Sequence, residues 1–225
     1  MNTPNPTVYV CDDEDAVRSA IGFLLRTRGL NVSLHASGPE LLNAVDRADG
    51  PVRGVFVLDL RMEPLPGTMV HDQLRARGLA PRCPVIFLSG HGDIATAVRL
   101  MQQGAISFLE KPSSDEALVE LVQKALALEA GNWRGAERRE ALRELLERLS
   151  PQQRRVMLHV EAGRPNKVIA DRRGLTERAI AEHKRKLFTK LGLRAAAELA
   201  TLAAEMRAAG LALEPSGDGA PQAPA

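Results

Sequence analysis

The sequence predicts an α/β chain in which a five-stranded, doubly wound parallel sheet is followed by a small all-α domain. Two observations support this prediction. Up to residue 128, short apolar runs alternate with amphipathic stretches, which is the pattern of a parallel sheet built from successive βα units. From residue 149 onward the pattern is helical, and helix-capping residues recur along it.

Five short segments of the first part have the composition of strands. Three are nearly continuous apolar runs, as expected of strands that helices cover on both faces. The predicted strands are Thr7–Cys11, Asn31–His35, Val55–Leu58, Pro84–Leu88 and Ile106–Leu109. The amphipathic segments that follow them are Asp15–Arg28, Pro39–Ala48, Thr68–Arg77, Asp93–Gln103 and Ser114–Leu128. Because ligands of such sheets bind beyond the carboxyl ends of the strands, residues at those ends are the candidates for function.

The chain divides into four predicted segments. Residues 1–125 form the sheet domain, residues 126–148 a helical linker and residues 149–213 the all-α domain. Residues 214–225 are rich in Pro, Gly and Ala, so this tail is expected to be disordered.

The linker is rich in Ala, Arg and Glu and is predicted to be helical. It either continues the preceding helix or breaks at Gly131 or Gly135, because each glycine weakens a helix by about 1 kcal/mol relative to Ala. Apolar residues recur along it at helical spacing: Leu142, Leu145, Leu146 and Leu149. This stripe would serve either dimerisation or packing on its own domain, and the pattern leaves both open.

Composition excludes several classes of protein. A length of 225 residues with 44% hydrophobic residues suits two folded domains and excludes a wholly disordered chain. Only 3% of the residues are aromatic, which argues against base stacking on single-stranded nucleic acid. No apolar run is long enough to span a bilayer, and the amino terminus lacks the features of a signal peptide. Cys11 and Cys83 suggest neither a disulfide framework nor a metal pair. We therefore expect a cytoplasmic protein with no membrane association.

The net charge of +2 conceals an asymmetry along the chain. Residues 1–125 hold 12 basic and 15 acidic side chains, for a net charge of −3. Residues 164–194 hold 10 basic and 3 acidic side chains, for a net charge of +7. A strongly basic segment is either a solvated face or a surface for a polyanion such as DNA.

Start and stop signals divide the all-α domain into helices. Ser150 is a predicted N-cap, with Pro151 at the first helical position and Gln153 at the capping-box position. Gly163 is predicted to end that helix.

A short helix and a longer basic helix are predicted next. Asn166 is a predicted N-cap, Gly174 marks a turn, and Thr176 caps a helix that runs to about Leu191. The side chains expected to face inward on this helix are those of Ile180, Leu187 and Leu191. This is a helix-turn-helix pattern, in which the second helix enters the major groove of DNA. A small helical bundle whose polar face is merely basic would give the same pattern.

Polar residues follow four of the predicted strands. Asp12 and Asp13 follow the first strand, Asp59 the third, Ser89 the fourth and Lys111 the fifth. If the first and third strands are neighbours, the three carboxylates converge at one edge of the sheet. Packed carboxylates repel one another, so they take up protons or hold a cation, and Mg²⁺ suits oxygen ligands that leave room for water.

This set of residues suits phosphoryl transfer. One carboxylate would attack a phosphoryl group, a metal and Lys111 would neutralise its oxygens, and Ser89 would donate a hydrogen bond to one of them. Each residue taken singly is more often part of a turn, a helix cap or the surface. The specific signal is their order along successive strand ends.

Four segments of the first domain resemble the receiver domain of bacterial two-component response regulators, which has a flavodoxin-like fold. They read VYVCDDED, VFVLDLRM, PVIFLSGHGD and AISFLEKP, and the resemblance covers roughly residues 6–125. It implies that Asp59 is the phospho-acceptor. It also implies that Asp13, Asp59 and the backbone carbonyl of Arg61 bind Mg²⁺, with Asp12 acting through a bound water.

The same resemblance assigns the switch residues. Ser89 would be the switch hydroxyl, Phe108 the aromatic residue that turns inward upon phosphorylation, and Lys111 the partner of the phosphate. The family's Lys-Pro bond is typically cis, so a cis peptide is expected before Pro112.

One position departs from the receiver pattern, and one excludes a rival enzyme class. Glu63 stands where the family usually has Pro, and its carboxylate is expected to affect Mg²⁺ selectivity or the entry of the phosphodonor. Phosphatases of the haloacid dehalogenase type also use an Asp at a strand end, but they need a second Asp two residues later. Arg61 occupies that position here, which excludes that class.

The segment LSPQQRRVMLHVEAGRPNKVIADRRGLTERAIAEHKRKLFTKLG resembles the LuxR-type helix-turn-helix, over about residues 149–205. Asn166-Lys167, Ile169-Ala170, His183 and Lys190-Leu191 fall at that family's marked positions. A receiver joined to this domain is the FixJ-like/NarL-like arrangement of response regulators. The candidate DNA-binding residues are Lys167, Thr176, Arg178, Glu182, His183, Lys184, Arg185, Lys186 and Lys190.

Three positions depart from the LuxR-type pattern: Gln153, Ala179 and Ala181. Ala179 lacks an expected phosphate contact, and Ala181 lacks a long side chain that would reach a base edge. The remaining candidates for base recognition are Glu182, which suits cytosine N4, and Arg185, which suits guanine. The other basic candidates are expected on phosphates.

The resemblances imply a DNA-binding transcriptional response regulator that a partner sensor histidine kinase activates by phosphorylating Asp59. The expected partners are that kinase, double-stranded promoter DNA, a second copy of the phosphorylated chain and RNA polymerase. Beyond slow self-dephosphorylation the protein is not expected to be an enzyme. The alternatives are an orphan transcription factor that binds DNA without phosphorylation, and a receiver that serves as a phosphate sink with a weak DNA module.

Overall fold

The structure is a computed structural model that describes residues 5–90, 94–111 and 113–214. Its chain forms two compact units, Met1–Arg134 and Gly135–Ala225. Among the described residues, no helix combines the length and the apolar character that crossing a bilayer requires. The cis peptide predicted before Pro112, the helix start predicted at Asp93 and the disorder predicted for the tail beyond residue 214 fall outside the described residues.

The first unit contains the predicted five-stranded parallel sheet. Its strands are β1 (Thr7–Cys11), β2 (Asn31–His35), β3 (Gly54–Asp59), β4 (Val85–Ser89) and β5 (Ser107–Glu110). They lie in the order β2-β1-β3-β4-β5, and every neighbouring pair is parallel. This is the flavodoxin-like order, which places a ligand site at the carboxyl ends of β1 and β3.

Helices cover both faces of this sheet, as a doubly wound fold requires. They are α1 (Asp15–Thr27), α2 (Gly38–Asp46), α3 (Gly67–Ala76), α4 (Ile94–Gln102) and α5 (Asp115–Glu147). Alternate residues of β3 point to opposite faces: Val57 packs with α1 and α5, whereas Phe56 packs with α2, α3 and α4. The fold class predicted from the apolar runs is therefore confirmed.

Two glycines of the first unit allow close backbone contacts that a side chain would block. Gly54 begins β3 with a φ of 134°, and a Cβ atom there would lie 1.7 Å from the carbonyl oxygen of Thr7. Gly67 begins α3, and a Cβ atom there would lie 2.1 Å from the carbonyl oxygen of Asp59. The second contact packs the start of α3 directly against the candidate phospho-acceptor.

The linker predicted to be helical is the second part of α5, which runs without interruption through Gly131 and Gly135. Within the first unit, α5 is held by an ion pair that is almost fully buried. The Arg53 guanidinium donates to both carboxylate oxygens of Glu129, at 2.9 and 3.0 Å, and lies 4.5 Å from the ring centroid of Trp133. The compact first unit therefore extends to residue 134.

The second unit is all-α, as predicted. Beyond the end of α5 it contains α6 (Pro151–Glu161), α7 (Asn166–Arg173), α8 (Glu177–Leu191) and α9 (Ala196–Ala208). The leucine stripe of the linker belongs to its core, because Leu142, Leu146 and Leu149 are buried against the apolar residues of these helices. Of the two roles open to this stripe, the structure shows packing on its own unit.

The predicted helix caps are confirmed at α6 and α8 but not at α7. Ser150 and Gln153 form a reciprocal capping box at 3.2 and 3.0 Å, and the Thr176 hydroxyl accepts from the backbone N–H of Ala179. The N-cap predicted at Asn166 is wrong: Pro165 is the N-cap and Asn166 is the first helical residue. The proline holds its backbone at φ −61° and ψ 151°. The helix therefore begins directly after it, at Asn166, without a side-chain cap.

Candidate functional site

The register of the sheet brings the predicted acidic residues together. Cys11 pairs with Leu58, so Asp12 and Asp59 lie side by side at the carboxyl ends of β1 and β3. Ser89 ends β4 and pairs with Glu110, the residue before Lys111. The backbone N–H of Lys111 also donates to the carbonyl of Ser89 at 2.6 Å, which fixes the lysine at the same edge of the sheet.

The Lys111 ammonium joins the two buried carboxylates. Its Nζ lies 2.7 Å from Oδ2 of Asp12 and 2.6 Å from Oδ1 of Asp59. Both acidic side chains are buried, and the lysine side chain is 18% exposed. Charge-assisted hydrogen bonds of this length are among the stronger polar contacts in proteins. One cation therefore offsets two negative charges at the centre of the site.

Backbone groups hold the remaining carboxylate oxygens. Oδ1 of Asp12 accepts from the N–H of Glu14 at 3.0 Å, and Oδ2 of Asp59 accepts from the N–H of Arg61 at 2.8 Å. Sequence reasoning missed Arg18, whose Nη1 donates to the backbone carbonyl of Asp12 at 2.8 Å. The sequence signal that could have identified Arg18 is its position in the first turn of α1, close to the end of β1.

Burial and hydrogen bonding shift the pKa values of Asp12 and Lys111 in opposite directions. Burial raises the pKa of Asp12, and the hydrogen bonds from Lys111 and from the backbone of Glu14 only partly offset it. Burial by itself would lower the pKa of Lys111, but its hydrogen bonds to Asp12 and Asp59 outweigh burial and raise that pKa. The lysine is therefore a fixed positive charge.

Ser89 and Phe108 are the residues predicted to act as the switch. Ser89 is buried, and its Oγ has no hydrogen-bond partner among the described residues. Leaving a buried hydroxyl unpaired costs about 1–3 kcal/mol, so an acceptor that arrived next to it would be stabilised. Phe108 is half-buried and packs against the core on the α2–α4 face of the sheet.

The donor set suits a hard cation, although the described residues show no ready-made cluster of three metal-binding side chains. Asp12 and Asp59 share Lys111, whereas Asp13 is exposed and its Oδ2 accepts from the N–H of Glu63 at 3.4 Å. With the backbone carbonyl of Arg61, these residues offer only oxygen ligands, which Mg²⁺ prefers. The residues therefore fit Mg²⁺ chemically.

An apolar groove of about 730 Å³ lies beside the acidic site, between α1 and the start of α5. Lys111 lines one end of it, and Ile21, Leu24 and Leu118 line its walls. Phe23 also lines the groove and is 72% exposed, the most exposed large apolar side chain in the described part of the chain. Exposed apolar area of this kind is typical of surfaces that bind a partner or a ligand.

In the second unit, α8 presents most of the predicted DNA-binding residues. The Glu182 carboxylate accepts hydrogen bonds from Nε and Nη2 of Arg185, at 3.0 and 2.8 Å. It also forms an ion pair with Lys186 at 3.4 Å. The hydrogen bond from Arg185 is the main reason that the pKa of Glu182 falls to about 2. The candidate base-recognition residues Glu182 and Arg185 are therefore paired with each other in this structure. Lys167 and Arg178 are exposed on α7 and α8.

Two of the predicted DNA-binding lysines also make contacts within the unit. The Lys184 ammonium donates to Oδ1 of Asn166 at 3.2 Å, which links α8 to α7. The Lys190 ammonium donates to the carbonyl of Arg148 and to Oε1 of Gln153, at 3.0 and 3.1 Å. The remaining candidates are Thr176, which caps α8, and His183, which is half-buried on it.

This geometry defines a class of protein: a phospho-acceptor domain joined to a helix-turn-helix domain. Two family models match the chain, the response regulator receiver domain over residues 8–123 and the luxR family of bacterial regulatory proteins over residues 147–203. The chain therefore belongs to the two-component response regulators with a LuxR-type DNA-binding domain. This is a family of transcriptional regulators and not of classical enzymes.

Individual relatives agree with this assignment. The chain is 38% identical to the C4-dicarboxylate transport transcriptional regulatory protein DctR of Rhodobacter capsulatus, over 87% of this chain and 98% of the relative. It is 35% identical to the transcriptional regulatory protein FixJ of Azorhizobium caulinodans, over 87% of this chain and 90% of the relative. Among solved structures, the response regulator StyR matches with a TM-score of 0.82 and 31% identity, over 90% of this chain and 100% of that one.

Replacing Lys111 with Met is expected to lower the free energy of unfolding by about 3 kcal/mol, because it leaves two buried carboxylates without their cation. The lysine stabilises only ionised carboxylates, so the loss should be largest near about pH 7 and shrink as the pH falls through the raised pKa of Asp12. Urea unfolding in the presence of a chelator measures both effects. Lys124→Met is the matched control, since Lys124 pairs with Glu120 on the exposed surface of α5, and it should leave stability nearly unchanged. An equal loss in the two variants would contradict this account.

Proposed function

We propose that the receiver accepts a phosphoryl group on Asp59 from the phosphohistidine of a partner sensor histidine kinase. The observation that supports this most directly is the Lys111 ammonium between Asp12 and Asp59, beside a buried serine hydroxyl that has no partner among the described residues. A carboxylate oxygen of Asp59 attacks phosphorus, the P–N bond to the histidine breaks, and an acyl phosphate forms. The site thus supplies a nucleophile, a fixed cation and a hydrogen-bond donor.

Asp12, Asp13, Asp59 and the backbone carbonyl of Arg61 are proposed to hold Mg²⁺. When bound there, Mg²⁺ supplies positive charge that balances the carboxylates and the phosphoryl oxygens. Lys111 then pairs with a phosphoryl oxygen in place of the Asp59 carboxylate. Slow self-dephosphorylation follows when water attacks the phosphorus of the acyl phosphate and displaces the Asp59 carboxylate.

Phosphorylation is proposed to change the structure through the two switch residues. Ser89 donates its hydroxyl hydrogen to a phosphoryl oxygen, and Phe108 turns further into the core on its side of the sheet. The half-buried position of Phe108 supports this role, because the ring has apolar surface left to bury. The two arrangements form a two-state element that the added charge biases.

The apolar groove between α1 and α5 is proposed as the docking site of the kinase. It opens beside Lys111, so a helix bound there can bring its phosphohistidine to Asp59. The exposed ring of Phe23 supports this assignment, because aromatic side chains of this kind commonly anchor protein interfaces.

The second unit is proposed to bind promoter DNA in the cytoplasm, with two copies of the phosphorylated chain placing two α8 helices on one duplex. Exposed basic residues on α7 and α8 support a phosphate-binding surface. Arg185 can recognise guanine once its pairing with Glu182 opens, and Glu182 can then accept from cytosine.

The direct test of the receiver is the substitution Asp59→Asn. Incubation of the wild-type protein with acetyl phosphate and Mg²⁺ should give an acid-stable, hydroxylamine-sensitive phosphoryl label, because acyl phosphates have that chemistry. Asp59→Asn should remove the label, while Asp72→Asn, at an exposed carboxylate on α3, should keep it. A label that persists in Asp59→Asn would refute the assignment of the phospho-acceptor.

Phe23→Ala separates docking of the kinase from the chemistry of the site. We expect phosphotransfer from a phosphorylated sensor kinase to slow by about tenfold, as for loss of an interface anchor, while labelling by acetyl phosphate is unchanged. Met69→Ala is the control, because Met69 is also exposed but lies on α3. An equal effect on both donors would show that Phe23 supports the fold and not the kinase contact.

Lys167→Ala tests the DNA-binding surface. We expect weaker binding to every duplex sequence and a salt dependence whose slope falls by about 0.9, because one phosphate contact releases one counterion less. The control is Arg194→Ala, at an exposed residue between α8 and α9. Fluorescence anisotropy with a labelled duplex from the protein's own promoter region, over a range of salt concentrations, measures both quantities. Identical slopes for the two variants would exclude Lys167 from the interface.

A further inference from the structure

Arg18 makes contacts at the edge of the acidic site that the proposed phosphoryl transfer does not use. Its guanidinium bridges two acceptors: Nη1 donates to the backbone carbonyl of Asp12 at 2.8 Å, and Nη2 donates to Oδ1 of Asp15. The side chain is only 14% exposed, although arginine side chains are mostly exposed in folded proteins. By comparison, Arg26 in the last turn of α1 is exposed, and its Nη2 lies 3.4 Å from the carbonyl of Val32. Arg18 is therefore a well-packed arginine held in place by two acceptors.

The carbonyl that Arg18 holds belongs to the peptide group between Asp12 and Asp13. Because a peptide group is planar, fixing its oxygen also fixes the direction in which the chain enters Asp13. Two further hydrogen bonds hold the same stretch: the N–H of Asp12 donates to the carbonyl of His35 at 3.2 Å, and Oδ1 of Asp12 accepts from the N–H of Glu14 at 3.0 Å. The backbone between the two acidic residues is thus anchored to α1 by the Arg18 side chain.

Asp13 depends on this anchor because its own side chain is loosely held. The side chain is exposed, and its Oδ2 accepts from the N–H of Glu63 at 3.4 Å, a longer separation than most N–H···O hydrogen bonds have. The N-cap of α1 is Glu14, whose side chain makes no capping hydrogen bond within the described part of the chain. The orientation of Asp13 therefore depends on the backbone that precedes it, whose carbonyl Arg18 holds.

The charge and the hydrogen bond of Arg18 have opposite effects on the binding of a cation. Its positive charge near Asp12 and Asp13 repels Mg²⁺ and by itself weakens metal binding. An ordered Asp12–Asp13 peptide strengthens it, because less conformational freedom is lost when the carboxylates bind the metal. The charge is already opposed by the ion pair with Asp15, whereas loss of a group that orients metal ligands commonly lowers affinity about 10–100-fold. We therefore expect the hydrogen bond to dominate.

We propose that Arg18 is a positioning residue for Mg²⁺. By holding the carbonyl of Asp12, it keeps the backbone of Asp13 in the orientation that metal binding requires, and it contacts neither the metal nor the phosphoryl group. Asp15 has a part in this role, because it holds the second arm of the planar guanidinium. The inference rests on the proposed function, in which Asp12, Asp13 and Asp59 bind Mg²⁺ for phosphoryl transfer, and it adds a residue on α1 that sets the metal affinity.

Calorimetric titration of the full-length protein with MgCl₂, without a phosphodonor, tests the proposal. We expect Arg18→Met to raise the dissociation constant of Mg²⁺ about tenfold with one site per chain retained. Arg18→Lys should recover part of the affinity, because its ammonium keeps a donor for the Asp12 carbonyl but lacks the planar fork. Arg26→Met is the matched control, since it removes the same charge from the exposed end of the same helix, and it should bind Mg²⁺ as the wild type does.

Three outcomes of the titration overturn this inference alone. Arg18→Met that binds Mg²⁺ as tightly as the wild type shows that the hydrogen bond is irrelevant to the metal, and tighter binding shows that Arg18 acts only through its charge. A lower number of sites per chain with an unchanged dissociation constant shows that Arg18 supports only the fold. If Arg18→Met does not fold, the same criteria apply to Arg18→Lys. A wild-type protein that binds no Mg²⁺ refutes the proposed metal site itself, which is a separate result.

Labelling by acetyl phosphate gives a second readout of the same role. In Arg18→Met, the Mg²⁺ concentration for half-maximal labelling should rise by the same factor as the dissociation constant, while the labelling rate at saturating Mg²⁺ stays at the wild-type value. A positioning residue affects how much metal the site needs and not the chemistry once the metal is bound. A labelling rate that stays low at saturating Mg²⁺ would overturn the inference, because Arg18 would then act on the phosphoryl transfer itself.

Discussion

The ammonium group of Lys111 between the carboxylates of Asp12 and Asp59 is the interaction on which the receiver depends. Two ionised acidic side chains buried at neighbouring strand ends repel each other, and a cation between them offsets that repulsion. The parallel register of β1 and β3 forces the carboxylates together, and the bond from Lys111 N–H to the carbonyl of Ser89 holds the lysine beside them. The proposed phosphoryl transfer uses the same constraint, because the lysine that offsets the carboxylates would also offset the charge of a phosphoryl group.

The two units manage charge in different ways. The receiver buries a few charges and pairs them closely, as at Lys111 and at the Arg53–Glu129 pair beneath the sheet. The DNA-binding unit leaves its charges near the surface, where some are paired within α8 and others bond to neutral groups, as Arg164 does to His159. Buried pairing fixes one geometry, whereas exposed basic groups retain the ability to exchange water and ions for a polyanion. This difference fits a receiver that is switched by one covalent change and an output domain that works by binding.

Much of the fold was predictable because its signals are local. Continuous apolar runs identified the buried strands, and the amphipathic segments between them identified the first four covering helices to within a few residues at each end. The start of α5 was predicted equally well, but this helix continues through the linker to Glu147. The capping box at Ser150 was equally local, since it needs only residues three apart. Asn166 was misassigned because Asn and an extended proline both suit a helix start, and only the backbone shows which residue is the cap. The sequence also left open whether the helix continues through Gly131. Helix propensity disfavours glycine there, whereas the packing of the flanking residues decides whether the helix continues.

The sequence by itself determined the class of the protein. It also determined which polar residues follow each strand, and so which residues are candidates for the acidic site. Only the tertiary structure decided which of these groups meet. Strand register placed Asp12 and Asp59 on one lysine. Among the described residues, the structure gives the Ser89 hydroxyl no hydrogen-bond partner, and it exposes Asp13. The tertiary structure also decided that the leucine stripe of the linker is core. These are contacts between residues distant in the chain, and no local pattern specifies them.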